Sequence, residues 1–248
     1  MKSLEEWWRV NAMKVNESKT KAIIFRPKNK HIPQHQDIII NSRCIALVEN
    51  FKCLGVTFSA NMSWDNHVKH VLSKISQITG VIGRLRYILP TRIKRLLYHS
   101  LFQSHLNYCQ LVWGNTTSTN IEHIHLLQKK YLRHTYNASY TASTSTFFSN
   151  SGVIPAHNLY RYRLSHVYKQ EIHRNINNIR NLSQLQDRTP SYLTRHFEDW
   201  SVPMSRSSYG KQCLKYTIPT LLNYYNSVRF DLFTATYKDL RQMYLVSM

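Results

Sequence analysis

The amino-acid sequence predicts an α+β protein that is mainly α-helical, and three observations lead to this prediction. Short β-type runs separated by turn residues fill much of residues 1–58. From Ser63 onwards, apolar residues recur at spacings of three and four, which is the period of an amphipathic helix. Asn- and Ser-rich stretches follow residue 137. We therefore expect a small antiparallel hairpin or sheet in residues 1–58, a helical bundle in 59–136, and a helical and irregular tail in 137–248.

The first of these segments is expected to begin with a helix and to continue as strands. Leu4, Trp7, Trp8 and Asn11 fall on one helical face. The two tryptophans indicate a helix that needs a partner surface, as if the chain began within a domain. Asn41 begins a predicted turn, because asparagine tolerates positive φ. The strand-like runs are residues 21–25, 37–40, 44–48 and 51–58.

Three helices are expected to form the bundle. The first begins at Ser63 as its N-cap and is stopped by Pro90. The second begins at Thr91 and ends at Gly114, and the third begins at Thr119. The residues expected to be buried in the second and third helices are Ile93, Leu96, Leu97, Leu101, Leu106, Val112, Trp113, Ile121, Ile124, Leu127, Tyr131 and Leu132.

The remaining residues carry weaker signals. Residues 137–150 are rich in Ser and Thr and are predicted to be a loop, followed by a fourth helix at 156–175. An irregular stretch is expected up to residue 210. Residues 214–218 and 237–246 show weak strand or helix patterns.

The charge balance indicates a polyanionic partner. The chain has 33 Lys and Arg against 13 Asp and Glu, a formal charge of +20. Residues 66–170 contain thirteen of the cations and a single acid, Glu122. Nucleic acid is the expected partner, since neutralised phosphates release counterions. A ribosomal-type or membrane-surface basic protein is the alternative.

The sequence also bears on compartment. Cys44, Cys53, Cys109 and Cys213 show no paired spacing, which fits a reducing, intracellular environment in the nucleus or cytoplasm. No apolar run is long enough to span a bilayer, and the start of the chain does not have the pattern of a signal peptide. No membrane association is therefore expected.

Several short motifs follow one another between residues 8 and 133. They are Trp8 with Asn11, residues 13–20, Phe25, residues 45–48, 52–56 and 62–64, His67, residues 83–86, 89–90, 97–98 and 100–101, Leu106, Tyr108, and residues 112–114, 128–130 and 132–133. In their order and spacing they resemble the downstream part of a reverse transcriptase from a LINE-type, non-LTR retrotransposon of the jockey-like group. A fainter match at residues 190–192 and 208–210 extends the resemblance towards the end of the chain.

The resemblance implies roles for individual residues. Lys19, in the same segment as Asn16, would be an accessory catalytic residue that helps to protonate the leaving pyrophosphate. Leu54, Gly55 and Val56 would form the primer grip, where glycine lets the backbone approach the end of the primer. Without the resemblance, Lys19 is a solvated surface lysine and Gly55 an ordinary bulge.

The resemblance also implies an activity that this chain is not expected to perform alone. Residues 1–58 would be the end of the palm with the primer-grip hairpin, 59–136 the thumb, and 137–248 the C-terminal tail. The intact family enzyme is an RNA-directed DNA polymerase that uses Mg²⁺, with metal-binding aspartates that would precede Met1. No converging carboxylate pair in the sequence replaces them. We therefore expect no cofactor in this chain and no polymerase activity without the missing palm and fingers.

Basic residues of the expected bundle are the candidates for phosphate contact. The scarcity of acids among them favours this role over that of a solvated face. His67 with His70, and His123 with His125, lack further ligands at zinc spacing, so no metal site is expected. The candidates are Lys69, Lys74, Arg84, Arg86, Arg92, Lys94, Arg95, Lys129, Lys130 and Arg133.

The expected role of the chain is sequence-tolerant binding of an RNA and DNA template–primer duplex. Two alternatives remain. One is a host nucleic-acid-binding module whose basic helices read a specific sequence. The other is a non-functional, truncated element copy that aggregates through exposed tryptophans and strand surface.

Overall fold

The computed structural model of the protein describes residues 2–14, 16, 19–27, 29, 38–40, 43–188, 199–207 and 209–245. Helices make up most of this part, accompanied by two pairs of short antiparallel strands. The predicted class, α+β and mainly α, is therefore confirmed. The chain divides into two compact units, Met1–Lys69 and His70–Met248. No helix in the described ranges is both long enough and apolar enough to cross a membrane.

The first unit contains a helix, two β-hairpins and the start of a second helix. Its elements are α1 (Lys2–Val10), β1 (Ile39–Ile40), β2 (Arg43–Cys44), β3 (Asn50–Cys53), β4 (Val56–Ser59) and the first turn of α2 (Asp65–Arg84). Strand β1 pairs only with β2, and β3 only with β4, so the described strands form two separate two-stranded sheets. Cys53 pairs with Val56 at the end of the second hairpin.

The β3–β4 hairpin is held against the beginning of α2. The rings of Phe58 and Trp64 meet edge to face, with centroids 5.6 Å apart. The backbone N–H of Thr57 donates to Nδ1 of the buried His67 at 3.4 Å. Val68 is completely buried. Aromatic packing and one polar contact therefore fix the hairpin on the first turns of the helix.

Two strand predictions in this unit are wrong in detail. Residues 51–58 do not form one bent strand, because the chain reverses at Leu54 and Gly55 and the two halves pair with each other. Residues 21–25 form no regular strand and contribute a single parallel bridge between Ala22 and Leu47. Strands β1 and β2 overlap the predicted runs 37–40 and 44–48, and the turn predicted at Asn41 lies outside the described residues.

The second unit is built from helices around an aromatic and aliphatic core. Its elements after α2 are α3 (Thr91–Leu97), a π-helical turn (Tyr98–Phe102), α4 (Gln103–Asn107), α5 (Gln110–Trp113), α6 (Ser118–Thr135), α7 (Ser145–Ser151), α8 (Ala156–His173), α9 (Asn178–Ser183), a 3₁₀ turn (Gly210–Gln212), α10 (Leu214–Ser227) and α11 (Tyr237–Leu245). Helix α8 contacts α5, α6, α9 and α11. The rings of Tyr98 and Phe102 pack against Tyr131 of α6 at 5.1 and 5.3 Å.

The second predicted helix is interrupted, and its buried face differs from the expected one. Between α4 and α5 the chain turns at Cys109, whose φ is 48°. The residues facing the interior are spaced by four and include Tyr98, Phe102 and Leu106. Four residues predicted to be buried are instead at least 40% exposed: Ile93, Leu96, Leu101 and Val112. Trp113, Ile124, Tyr131 and Leu132 are buried as predicted.

The remaining helix boundaries also shift. Helix α2 ends at Arg84, before the predicted stop at Pro90, which instead precedes the first residue of α3. The predicted loop 137–150 contains the beginning of α7, and the stretch predicted to be irregular contains α9. The two weak patterns near the end of the chain correspond to the helices α10 and α11.

Candidate nucleic-acid interface

The tip of the β3–β4 hairpin is the segment predicted to be a primer grip. Leu54 and Gly55 have φ angles of 45° and 83°, as a two-residue type I′ turn requires. The side chain of Leu54 is 85% exposed, whereas Val56 is 3% exposed. Leu54 and Gly55 are therefore accessible to a ligand. Val56 was expected to share this role but contributes its side chain to the interior of the first unit.

Lys19 lies in a short polar turn of the same unit. Its backbone N–H donates to Oδ1 of Asn16 at 3.1 Å, and the hydroxyl of Thr20 donates to the Asn16 carbonyl at 2.8 Å. The turn fixes the backbone at Lys19, and the residue is exposed. Its accessory catalytic role stays a prediction.

A polar cavity of about 410 Å³ lies beside the hairpin in the first unit. Its charged lining residues are Arg26, Glu49, Asp65 and Lys69. Arg26 forms an ion pair with Glu49 at 2.8 Å. Lys69, predicted to contact phosphate, thus shares a cavity with two carboxylates, which weaken its attraction for an anion. The lining comes from distant stretches of sequence, so no local motif pointed to the cavity.

The structure sorts the predicted phosphate contacts by exposure. Lys69, Lys74, Arg84, Arg92, Arg95 and Lys130 are exposed, Arg86, Lys129 and Arg133 are half-buried, and Lys94 is buried. The prediction that Lys94 contacts phosphate is therefore wrong, because its side chain is 0% exposed and cannot reach a phosphate on the surface.

The ammonium group of Lys94 joins three segments of the second unit. It donates to the carbonyl of Arg86 at 2.8 Å, the carbonyl of His134 at 3.1 Å and Oδ1 of Asn137 at 2.9 Å. The hydroxyl of Tyr131 donates to the Lys94 carbonyl at 2.9 Å. Three segments therefore meet at Lys94: the chain that follows α2, helix α3, and the end of α6. We call this contact region the Lys94 joint. It occupies all three donors of the ammonium group.

A lysine suits this position because helix ends leave carbonyl groups without partners. The last carbonyls of a helix such as α6 accept no hydrogen bond from N–H groups of the same helix. The C-terminal end of the helix dipole is negative, so a cation is favoured there. Burial lowers the pKa of Lys94, and the charge of Arg86 lowers it further. The same basic surroundings act on His134, whose pKa is lowered by burial and by Arg86, Lys130 and Lys94.

Arg86 strengthens the Lys94 joint from its outer side. Its guanidinium donates to the carbonyl of Ala138 at 3.1 Å and lies 4.7 Å from the ring centroid of Tyr87. The hydroxyl of Thr91 reaches the carbonyl of Thr135 at 3.5 Å. Part of the hydrogen-bonding capacity of Arg86 is thus used inside the protein, which leaves less of it for a phosphate.

Of the predicted phosphate contacts, the exposed cations of the second unit lie on α2, α3 and α6. Arg84 ends α2, Arg92 and Arg95 belong to α3, and Lys130 is in the last turns of α6. Lys74 lies nearer the beginning of α2. In the described part of the chain, no carboxylate lies within ion-pair distance of these five side chains. Their positive field is therefore not neutralised within the protein.

A basic groove follows one side of α6 in the second unit. This cavity of about 370 Å³ is lined by His125, Lys129 and Arg133, which share a face because they are spaced by four. Residues 141–145, with their hydroxyl groups, form the opposite side. The sequence placed Lys129 and Arg133 on an outer face, and it gave no sign that a Ser/Thr-rich segment would lie against them.

The histidines that the structure describes are not grouped as metal ligands. No group of three or more His, Cys, Asp or Glu side chains arranged to hold a metal ion occurs among the described residues. His125 packs against Phe148, and its ring centroid is 4.4 Å from that of His157. Burial, Lys129 and His157 lower the pKa of His125 to about 4, so its ring is neutral at pH 7.

Searches against protein-family models, curated proteins and solved structures found no match to this chain.

Proposed function

We propose that this chain is the primer-grip and thumb part of a non-LTR reverse transcriptase, and that its own role is sequence-tolerant binding of an RNA–DNA template–primer duplex. The observation that carries the proposal is the set of exposed, unneutralised cations on helices fixed to one another by the Lys94 joint. The ordered motifs between residues 8 and 133 support the family assignment.

Phosphate contact explains why the cations occur without acids. Exposing Arg84, Arg92, Arg95 and Lys130 on helices that carry few acids costs repulsion unless a polyanion neutralises them. Because the Lys94 joint ties α3 to the end of α6, the spacing between cations of these helices is set before binding. Preorganised groups lose less entropy on binding than flexible ones.

The hairpin tip offers a different type of contact. Because Gly55 carries no side chain and lies at an exposed turn, its backbone can come close to a nucleic-acid strand. The proposal gives this chain a role in binding and not in catalysis, since phosphoryl transfer by two metal ions needs converging carboxylates.

Titration of a labelled RNA–DNA hybrid at several salt concentrations tests the proposal. We expect the logarithm of the binding constant to fall steeply and linearly with the logarithm of salt concentration, with a slope near 0.7–0.9 per phosphate contacted. Two hybrids of unrelated sequence should bind within about threefold of each other, since phosphate contacts carry no sequence information. A flat salt dependence would contradict the proposal, and a large preference for one sequence would favour the host-reader alternative.

A pair of double variants locates the interface. Arg92→Gln with Arg95→Gln should weaken binding at least about tenfold and reduce the salt slope by nearly two units. The control, Lys215→Gln with Lys238→Gln, removes the same charge from exposed positions on α10 and α11. Its binding should change less than about threefold. Equal losses in the two variants would show that net charge, and not this surface, determines affinity.

A further inference from the structure

We propose that the groove between α6 and residues 141–145 is a built phosphate site that holds one phosphodiester group of the bound nucleic acid. This inference rests on the proposed function and adds to it a specific pocket, distinct from the exposed cations around the Lys94 joint. The cavity of about 370 Å³ is lined by two permanent cations on one side and hydroxyl-bearing residues on the other.

Of the two cations of the groove, Arg133 is held in place before a ligand arrives. Nε of Arg133 donates to the carbonyl of Ala142 at 3.0 Å, which ties the guanidinium to the opposite wall. The Arg133 guanidinium also lies 5.7 Å from the ring centroid of Tyr140. Lys129, one helical turn earlier, lines the same cavity and is half-buried. A partly desolvated pair of cations attracts an anion more strongly than the same pair in open solvent.

The hydroxyl groups complete the recognition of a phosphate. Thr141, Ser143 and Ser145 all line the groove, and the hydroxyls of Ser143 and Ser145 are 3.3 Å apart. One hydroxyl of the Ser143–Ser145 pair donates to the other, and the hydroxyl that accepts keeps its own O–H for a phosphate oxygen. The Thr141 hydroxyl can donate to the phosphate in the same way when it accepts from Ser139, 3.4 Å away. A surface on which the cations were only hydrated by water would not need hydroxyl donors opposite them.

The surroundings of the groove are compatible with an anion. The nearest acid along α6 is Glu122, which does not line the groove and whose Oε2 forms a hydrogen bond with Nε2 of His157 at 3.0 Å. His125 is neutral at pH 7 and packs on Phe148, so it closes the groove without changing its charge. The charge facing a ligand is then that of Lys129 and Arg133.

Two lysines provide a matched test. Lys129→Gln removes a charge from the groove, whereas Lys215→Gln removes the same charge from an exposed residue of α10, which does not line the groove. We expect Lys129→Gln to weaken hybrid binding at least tenfold and Lys215→Gln less than threefold. Ser143→Ala, which changes no charge, should weaken binding about threefold while leaving the salt slope unchanged. Equal effects of the two lysine variants together with no effect of Ser143→Ala would overturn the site, even if the wild-type chain bound the hybrid as proposed.

Inorganic phosphate alone separates the failure of this inference from the failure of the proposed function. Backbone NMR signals of residues 141–145 should shift on addition of phosphate in the wild type and in Lys215→Gln, and should not shift in Lys129→Gln. Shifts with phosphate combined with no hybrid binding would mean that the groove takes free phosphate, which overturns the assignment to nucleic acid. Hybrid binding without any shift of these signals would leave the proposed function intact and remove the groove from it.

Discussion

Replacing Lys94 by methionine tests whether this residue has a structural role and not the surface role that its sequence suggested. Methionine keeps the length of the aliphatic chain and removes the ammonium group. The carbonyls of Arg86 and His134 and Oδ1 of Asn137 would then each lose a donor that lies 2.8 to 3.1 Å away. Because Lys94 is 0% exposed, solvent cannot replace these contacts without local opening.

The expected cost follows from two opposing contributions. Losing its donor costs a buried acceptor about 1–3 kcal/mol. The Arg86 carbonyl bears most of this cost, whereas the His134 carbonyl also accepts from the Asn137 N–H at 3.4 Å, and Asn137 is exposed. Removing the buried ammonium recovers part of its desolvation penalty. We expect a net loss of about 1–2 kcal/mol, which for a unit of this size lowers the melting temperature by roughly 2–8 °C.

Urea and thermal unfolding monitored by circular dichroism measure this difference. Lys130→Met is the control, because it makes the same substitution at an exposed residue and should change stability by less than about 0.5 kcal/mol. A Lys94→Met variant as stable as the wild type would refute the structural role. Full stability together with weakened hybrid binding would restore Lys94 to the set of phosphate contacts.

Three further tests, two of them with a control substitution, probe local features of the fold. Gly55→Ala should destabilise the first unit by about 1 kcal/mol in urea unfolding because its φ is 83°, whereas Leu54→Asn, at a φ of 45°, should not, since asparagine is favoured in this turn. His125→Asn should reduce the acid sensitivity of unfolding. The pKa of His125 is lowered from 6.5 to about 4 in the folded state, so the unfolded state takes up the proton first as pH falls. The contribution of the neutral His125 ring to the free energy of unfolding, about 3 kcal/mol, is therefore lost between pH 6.5 and pH 4. A wild-type urea midpoint that is flat across this interval would contradict the assignment. Gly114→Ala should lower the melting temperature by several degrees, since a Cβ would lie 2.5 Å from the Gln110 carbonyl oxygen, while Gly80→Ala in α2, with nothing within 4 Å, should raise it slightly.

Long periodic segments were predicted well because their own apolar pattern determines both their structure and their burial. The spacing in α2 and α6 indicated helices, and Tyr131 and Trp113 are buried as expected. The strand pattern alone gave residues 51–58 as one strand, since leucine is not among the residues that favour positive φ, whereas the family resemblance placed a hairpin at Leu54–Val56. In that position, pairing between the strands outweighs the local preference of one residue.

Burial in α3 could not be read from hydropathy, because the interior there needs a cation. Ile93 and Leu96 are 40% and 57% exposed, whereas Lys94, which lies between them in the sequence, is buried. The carbonyls that Lys94 satisfies belong to residues that are eight and forty positions away along the chain. The groove beside α6 was missed for a similar reason, since its two walls belong to separate predicted elements, a helix and a loop.

The basic run in α3 shows how one local charge cluster serves two purposes. Successive helical residues are about 100° apart, so Arg92, Lys94 and Arg95 cannot all face the same side. The buried acceptors draw Lys94 inward, and the two arginines are then left on the surface, where they are exposed. The stability of the helices that present this proposed phosphate-binding surface thus depends on the buried lysine. Lys94→Met should accordingly retain hybrid binding at temperatures where it is folded and lose it together with its helical signal on heating, whereas Arg92→Gln with Arg95→Gln should lose binding while its unfolding stays close to that of the wild type.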